Sequence, residues 1–300
     1  MPDRILSDGR VAAAPDERER RVVWSIGIGL VVSTLFFTLL HHGFPQVLDV
    51  PSNSGIPYTD YPTMFILDLI PFGLAWLCFH HARRRLGLYR AMIFLGGSFV
   101  FTGIEESMWI LLGRYAQELQ AALPSAPNAV LGQSSQGISG TYYFTRGFFW
   151  FIETPLLACL GWFFVAYSCV YVANLILPRA RLGFRAVAGG LLAMNLDLWL
   201  DPVQTHETFK SWIWAQADRI NIFSIPLSNF MGWFLLIFLF ALVFERLPDM
   251  VKRRGPAQAA LYFYGVLFAL EIGILIFFGI YGSIAMRLIP GPINLTIWGI

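Results

Sequence analysis

The residues best suited to chemistry in this sequence are two pairs of acids on apolar helices. Asp197 and Asp201 stand four positions apart in the segment NLDLWLDPV, so they face the same side of a helix. Glu105 and Glu106 end a second apolar segment. Charged groups are costly inside a lipid-spanning helix, and their presence there predicts a functional site.

Such acids are suited to general acid–base catalysis. Burial and mutual repulsion favour the neutral form of a carboxyl, and a neutral carboxyl can donate a proton while an ionised neighbour accepts one. Aromatic faces stabilise cations, and the predicted spans carry several tryptophans: Trp109, Trp150, Trp199 and Trp233. Acid beside aromatic rings suits protonation of an isoprenoid double bond, which gives a tertiary carbocation that water or another alkene captures.

The four acids receive provisional roles on this basis. We expect Asp201 or Asp197 to protonate the alkene. We expect Glu105 or Glu106 to hold or deprotonate the attacking water. Because adjacent helical residues point about 100° apart, only one of the two glutamates can face a given pocket squarely.

The elements that position these acids are membrane helices. The chain is 56% hydrophobic and 13% charged, which predicts an integral membrane protein of the all-α class. A spanning helix needs about 20 apolar residues, and we predict a bundle of about seven: 22–43, 62–81, 91–112, 147–176, 186–202, 227–246 and 257–281. The membrane domain is predicted over 22–287, between a cytoplasmic tail at 1–21 and an apolar interfacial tail at 288–300.

Arginine and lysine predict the orientation. With a cytoplasmic N-terminus, all but five of the 21 basic residues fall in inside segments; the exceptions are Arg114, Arg146, Lys210, Arg219 and Arg287. The positive-inside rule therefore favours this orientation, for a multi-pass protein of the inner (plasma) membrane. The basic segments are expected to meet lipid headgroups, and no nucleic-acid partner is expected.

This orientation gives the acids a common depth. Apart from Glu245 at the inner end of the 227–246 span, seven acids lie in predicted spans: Asp68, Glu105, Glu106, Glu153, Asp197, Asp201 and Glu271. All fall in the outer half of the membrane or near its midplane, and no basic residue is expected at that depth. The sequence therefore predicts a polar pocket that opens toward the outer side.

Several other residues have both a functional and a structural interpretation. His206 is a candidate proton relay, and Glu153 is a candidate pocket or interface residue. Asn229 is a candidate substrate contact, although capping of the following helix is the simpler explanation. Trp212 and Trp214 are expected on an amphipathic, lid-like helix near 203–226, as substrate contacts or as headgroup anchors.

Other chemistries fit less well. A magnesium–prenyl-diphosphate site is disfavoured because Asn195 lies on the wrong face, no second aspartate-rich motif exists, and no basic residue is expected nearby. We predict no metal and no cofactor. A proton-coupled transporter remains the rival class, since buried acids also serve proton relays. The chain shows no internal repeat by inspection, unlike many transporters.

Three motifs resemble a known family. GGLLAMNLDLWLDPV, SWIWAQ and FSIPLSNFMGWFL are similar to segments of the carotenoid biosynthesis protein family, which includes bisanhydrobacterioruberin hydratase-type carotenoid 1,2-hydratases. A looser likeness runs through TYYFTRGFFWFIETPLLACLGWFFVAY. The residues that match are Asp197, Asp201, Pro202, Trp212, Trp214, Pro226, Asn229, Gly232 and Trp233.

The resemblance implies a cofactor-independent hydro-lyase that adds water to the terminal double bond of an acyclic carotenoid end group. Its implied partners are a lipophilic isoprenoid or carotenoid, the bilayer and other enzymes of the pathway. The segment GIEESMWILLGRY follows the family pattern only in part, SIP replaces the commoner Gly-Val-Pro, and the 113–146 loop is long. A different substrate therefore stays open, as does a membrane terpene cyclase that captures the cation with an internal alkene.

Overall fold

The computed structural model describes residues 15–44, 56–112, 142–214 and 218–295. This part of the chain contains seven helical rods and several short strands. The helices are α1 Glu17–Gly43, α2 Tyr61–Leu86, α3 Leu88–Ser98, α4 Leu156–Ile176, α5 Leu182–Thr205, α6 Leu227–Phe244, α7 Leu247–Arg254 and α8 Pro256–Leu288. A π-helical turn at Phe99–Gly103 continues α3 into a last helical stretch at 104–112, and α7 continues α6. We call 88–112 the α3 rod.

Five of these rods are long and apolar enough to cross a membrane: Glu17–Gly43, Tyr61–Leu86, Leu156–Ile176, Leu227–Arg254 and Pro256–Leu288. The protein is therefore a multi-pass, all-α membrane protein, and the predicted fold class is confirmed. The other two rods, α5 and the α3 rod, carry the two acid pairs. The number of spans and the orientation stay predictions.

Short strands gather at one end of the bundle, which we call the strand end. The strands are β1 Tyr142–Phe144, β2 Trp150–Phe151, β3 Thr154–Pro155, β4 Trp212–Trp214, β5 Ile220–Ile222, β6 Ile225–Pro226 and β7 Ile293–Leu295. β1 pairs with β4, and β2 pairs with β3, both antiparallel. β5 pairs antiparallel with β6 and parallel with β7. The last turn of α2, which contains Arg83, Arg84 and Arg85, lies at the end of that helix away from the strand end.

The strands correct two predictions. The span predicted from 147 begins at Leu156, because residues before it form the β2–β3 hairpin that ends in Pro155. The lid-like helix predicted near 203–226 is wrong: beyond the end of α5, the described residues there contain β4, β5 and β6. Aromatic and β-branched residues such as those of WIW favour a strand once a partner strand is available.

Parts of other predictions lie outside the described residues. These parts are 1–14 of the cytoplasmic tail, 113–141 of the long loop and 296–300 of the interfacial tail. Within the interfacial tail, Ile293–Leu295 adds a strand to the sheet of β5 and β6.

The chain does contain an internal repeat, contrary to the expectation from inspection. The segment PLLACLGWF at 155–163 recurs as PLSNFMGWF at 226–234, 71 positions later. Each segment follows a two-stranded hairpin with the same register, in which Trp150 faces Pro155 and Asn221 faces Pro226. The equivalent turn residues Ile152 and Phe223 both have positive φ, 57° and 53°. Because the hairpins also match, the repeat is structural and is not only a chance similarity of sequence.

Equivalent residues of the two repeats contact each other. The rings of Trp162 and Trp233 stack with centroids 3.9 Å apart, and these residues are 71 positions apart. Asn174 Nδ2 donates to Glu245 Oε1 at 3.3 Å, and this pair has the same separation. Contacts between equivalent positions are what a local two-fold axis produces. Each repeat also follows a rod that carries an acid pair, so we take 88–176 and 182–254 as the two units.

Close packing of α5 on α6 sets the position of the aspartates. A Cβ atom at Gly190 would lie 2.7 Å from the carbonyl oxygen of Phe234, whereas one at Gly189 would lie 3.7 Å from its nearest neighbour, in Ile237. Small residues at such crossings let membrane helices approach closely. Gly190 is therefore required for this approach and Gly189 is not.

The substitution Gly190→Ala should lower the free energy of unfolding by about 1–3 kcal/mol, because the added methyl collides with backbone that cannot move freely. Unfolding by SDS in mixed micelles would measure it. Gly189→Ala is the matched control and should stay within about 0.5 kcal/mol of wild type. Equal losses in the two variants would contradict this account of the helix contact.

Candidate active site

All seven acids predicted inside spans are buried in the fold. Their exposed fractions run from 0% to 8%: Asp68, Glu105, Glu106, Glu153, Asp197, Asp201 and Glu271. Four of them converge on one region between α4, α5, α6 and the α3 rod, and these four are the residues for which the sequence predicts catalytic roles.

Two adjoining cavities occupy this region. The larger has a volume of about 670 Å³, and Glu106 and Asp201 lie in its wall. The smaller has a volume of about 50 Å³ and is lined by Glu105 and Glu106. The walls shared by both cavities are Glu106, Tyr142, Trp162, Trp214, Asn229 and Trp233. The acids of the two repeats thus face one continuous polar and aromatic site.

Asn229 joins the two aspartates of α5. Its Nδ2 donates to Asp197 Oδ2 at 2.6 Å and to Asp201 Oδ2 at 2.9 Å. Both carboxyls therefore share one amide donor. Two buried carboxyls this close repel each other when both are ionised, so the pair favours a state that holds one proton.

The capping role expected for Asn229 belongs to another residue. Asp218, which is buried, accepts a hydrogen bond from the backbone N of Ser228 through Oδ2 at 3.1 Å, in the first turn of α6. The side chain of Asn229 is therefore free to point at α5, where it bridges the aspartates.

The two glutamates are positioned differently. Trp162 Nε1 donates to Glu106 Oε1 at 2.8 Å, and Glu106 Oε2 has no hydrogen-bond partner within the described residues. Glu105 lies within hydrogen-bonding range of the Trp109 indole. The π-helical turn just before them carries an extra residue per turn, a feature often found at functional sites. Glu106 is the glutamate shared by both cavities, as expected if only one faces the site squarely.

Aromatic rings make up much of the remaining wall. Trp233 stacks on Trp162, as described above, and Tyr142 packs against Trp214 with ring centroids 4.7 Å apart. The Trp212 indole lies within hydrogen-bonding range of the Asp201 carboxyl. Trp109 lines the smaller cavity beside Phe278, at 6.3 Å between centroids. The tryptophans of the WIW strand are therefore site residues and not only membrane anchors.

Arg146 is a site residue that the sequence did not predict. It lines the larger cavity and is only 8% exposed. Its Nη1 donates to the carbonyls of Pro57, at 3.3 Å, and Phe209, and its Nη2 donates to Ser211 Oγ at 2.9 Å. Burial lowers the pKa of the Arg146 guanidinium, yet arginine stays protonated in proteins. The expectation that no basic residue lies near the acids is wrong.

Three predicted residues lie away from the cavities. Trp199 is 75% exposed on the surface of α5 and lines neither cavity, so it does not shelter a cation there. His206 is exposed, and its Nδ1 accepts from the Thr208 backbone N at 3.2 Å. Glu153 is buried, but it lines neither cavity. Helical spacing alone did not reveal which face of α5 points inward.

The two remaining buried acids differ from each other. Asp68 Oδ2 accepts from the backbone N atoms of Phe148 and Phe149, at 3.2 and 3.0 Å, which gives it a structural role. Neither oxygen of Glu271 has a hydrogen-bond partner within the described residues, and Glu271 lies in electrostatic range of Glu105.

Sequence reasoning also missed Tyr142 and Trp162 as site residues. A signal for Trp162 existed, because the GWF triplet at 161–163 recurs at 232–234, where Trp233 was predicted as a substrate contact. Tyr142 carries no comparable signal, since its place in the wall comes from the pairing of β1 with β4 across a long connection.

Comparison with known proteins adds the family. A family model described as carotenoid biosynthesis protein matches residues 119–293. The match includes the aspartate pair and both GWF triplets and begins after Glu105 and Glu106. Neither the curated proteins nor the solved structures gave a match. Because the matched range exceeds half of the 300 residues, the chain belongs to the carotenoid biosynthesis protein family.

Proposed function

We propose that this protein is a membrane enzyme of carotenoid or isoprenoid biosynthesis that hydrates the terminal double bond of an acyclic end group. The observation that carries the proposal is a cavity where two carboxyls bridged by the Asn229 amide lie beside stacked aromatic rings. Family membership supports a lipophilic substrate from the carotenoid pathway.

Asp201 is the proposed proton donor. It lines the larger cavity, whereas Asp197 is fully buried beside it and reaches the site through Asn229 and Asp201. Transfer of the shared proton to the less substituted alkene carbon breaks the π bond and leaves a tertiary cation. The new Asp201 carboxylate is then stabilised by the amide of Asn229, which already donates to it.

The stacked pair Trp162 and Trp233 is proposed to stabilise the cation. Indole faces attract positive charge, by about 0.5–2 kcal/mol depending on how dry the site is. Both residues line both cavities, so the proposed cation lies where the substrate cavity meets the smaller one.

Water is proposed to attack from the smaller cavity. A single water needs about 10–15 Å³ of such space, and about 50 Å³ is present beside Glu105 and Glu106. Glu106 Oε2 accepts the proton released when the oxygen bonds to the cation. That proton is proposed to return to the aspartate pair through water in the larger cavity, which both Glu106 and Asp201 line, so the net reaction adds one water and consumes no proton.

The proposed membrane arrangement follows the arginine distribution. We propose a cytoplasmic N-terminus in the inner membrane, with the tails at 1–21 and 288–300 flanking the membrane domain. The strand end, and with it the site, would then lie toward the outer face.

A cyclase is the second candidate, favoured by the size of the larger cavity. The first step would be the same protonation, but an internal alkene of the folded chain would take the place of water. The product would keep the mass of the substrate.

Expression in cells that accumulate lycopene should yield a product heavier by one water, detected by liquid chromatography and mass spectrometry. Growth in ¹⁸O-labelled water should add the label to that product. Asp201→Asn should lower its formation by about 10²–10⁴-fold, the range for loss of a general acid. The double variant Asp197→Asn, Asp201→Asn should abolish it.

Glu153→Gln is the matched control, a buried acid outside both cavities, and should leave product formation unchanged. A product of unchanged mass and altered retention would favour the cyclase. Loss of activity with EDTA, restored by magnesium, would contradict the metal-free mechanism.

Asn229→Leu should disorder the aspartate pair, because its carboxyls lose a shared donor. We expect the free energy of unfolding to fall by about 1–3 kcal/mol, and kcat to fall more than KM rises, as for a positioning residue. Infrared difference spectra should show the protonated-carboxyl band shifted in this variant and absent in the double aspartate variant. Asn294→Ala removes two exposed hydrogen bonds to Ser224, away from the site, and should leave kcat and the carboxyl band unchanged.

Trp233→Leu should slow product formation about tenfold or more, which corresponds to about 1.4 kcal/mol of lost cation stabilisation. Trp233→Phe should lose less, since a ring remains. Trp199→Leu provides the control, because Trp199 lies on the lipid-facing surface. If Trp199→Leu slowed product formation and Trp233→Leu did not, the cation site would have to be assigned to Trp199 and not to Trp233.

A further inference from the structure

Three helices enclose the apolar part of the larger cavity. Both α2 and α5 pack against α4, and the cavity lies along this arrangement. Its apolar wall consists of Leu67, Ile70, Pro71 and Leu74 from α2, Leu157, Ala158, Phe164 and Val165 from α4, and Leu196 and Leu200 from α5. The cavity thus extends away from the acids along membrane helices.

Some residues of this wall also belong to the outer surface of the bundle. Ile70 is 59% exposed, Leu74 is 44% exposed and Leu196 is 43% exposed. In a membrane protein, apolar side chains exposed on helix surfaces lie against lipid. The wall of the cavity therefore includes exposed apolar side chains of both α2 and α5. Within the described residues these two helices pack on α4 without a comparable contact between them.

The strand end of the cavity is covered instead. Arg146 ties the segments of Pro57, Phe209 and Ser211 together, as described above. Ser211 Oγ donates to Gln204 Oε1 at 2.6 Å and extends this cover to α5. A polar, hydrogen-bonded roof at one end and an apolar flank at the side favour access from the lipid.

Gly161 marks the inner wall of the passage. It lines the larger cavity from the second turn of α4, yet a Cβ atom built there would have no neighbour within 4 Å. It directly precedes Trp162, which holds Glu106. A larger side chain at 161 would therefore enter the cavity next to the acids without colliding with its own surroundings.

We propose that the gap between α2 and α5 is a lateral portal for a linear isoprenoid chain, and that Gly161 sets the width of the passage to the acids. The identity of the chain rests on the proposed function. Pockets of about 300–1,000 Å³ enclose drug-sized ligands, and the volume here is about 670 Å³. The site takes the reacting end of a long chain while the remainder stays in the bilayer.

Binding can be measured apart from turnover. The purified full-length protein in lipid nanodiscs would be titrated with lycopene, and quenching of tryptophan fluorescence would report binding, because four tryptophans line the cavity: Trp162, Trp212, Trp214 and Trp233. Gly161→Phe should weaken binding about tenfold or more, which is about 1.4 kcal/mol. Gly265→Phe is the control, a glycine on α8 with equally open surroundings.

The lateral direction has its own test. Ile70→Phe and Leu74→Phe place larger side chains at the edge of the portal and so narrow it. Each variant should slow the association of lycopene about tenfold in stopped-flow quenching. Ile66→Phe lies one turn away on α2, is 59% exposed like Ile70, and does not line the cavity. Lycopene should associate with the Ile66→Phe variant at the same rate as with the wild-type protein.

The outcomes separate the two proposals. Normal binding by Gly161→Phe, or equal association rates for Ile66→Phe and Ile70→Phe, would overturn the portal even if the enzyme hydrates lycopene. Binding that follows the expected pattern without any product would support the portal and contradict the hydratase. Absence of binding to the wild-type protein would overturn both.

Discussion

The burial of carboxyl groups among membrane helices is the constraint on which the rest of this structure depends. A carboxyl without partners is costly in such surroundings, and hydrogen-bond donors hold three acids of the site. Asn229 bridges Asp197 and Asp201, and Trp162 holds Glu106. These hydrogen bonds determine which helices pack together, because α6 must face α5 and α4 must face the α3 rod. The packing of these helices and the positions of the acids therefore depend on the same contacts.

The internal repeat shows how these contacts are distributed over the structure. In each unit the helix that follows the hairpin supplies the hydrogen-bond donor, and the preceding rod supplies the acids. The donors are not equivalent: the first unit uses the indole of Trp162, whereas the second uses the amide of Asn229, four residues before its own tryptophan. The equivalent tryptophans then stack across the local two-fold axis. Two similar units thus give one site with chemically different acids on its two sides.

Wrong predictions had specific physical causes. Trp199 and Trp233 are both tryptophans in predicted spans, but only Trp233 lies on the inward face of its helix, while Trp199 faces outward. Capping by Asn229 was the simpler local explanation, yet Asp218, ten residues before Ser228, caps that turn instead. Arg146 was placed in the outside loop at 113–146, but hydrogen bonds to Pro57, Phe209 and Ser211 hold it over the cavity. The errors on Asn229 and Arg146 each came from a contact outside the local helix.

What the sequence determined by itself is what depends on composition and on local spacing. It determined the membrane-helical class, the burial of all seven acids, and the common face of Asp197 and Asp201, because the cost of burying charge and the helical period act within one segment. The tertiary structure alone decided that Glu106 and Asp201 share a cavity, that Arg146 covers it, and that its apolar wall comes from α2, α4 and α5. Those features depend on which helices touch, and that choice is made by the few hydrogen bonds and close glycine contacts that join segments across the bundle.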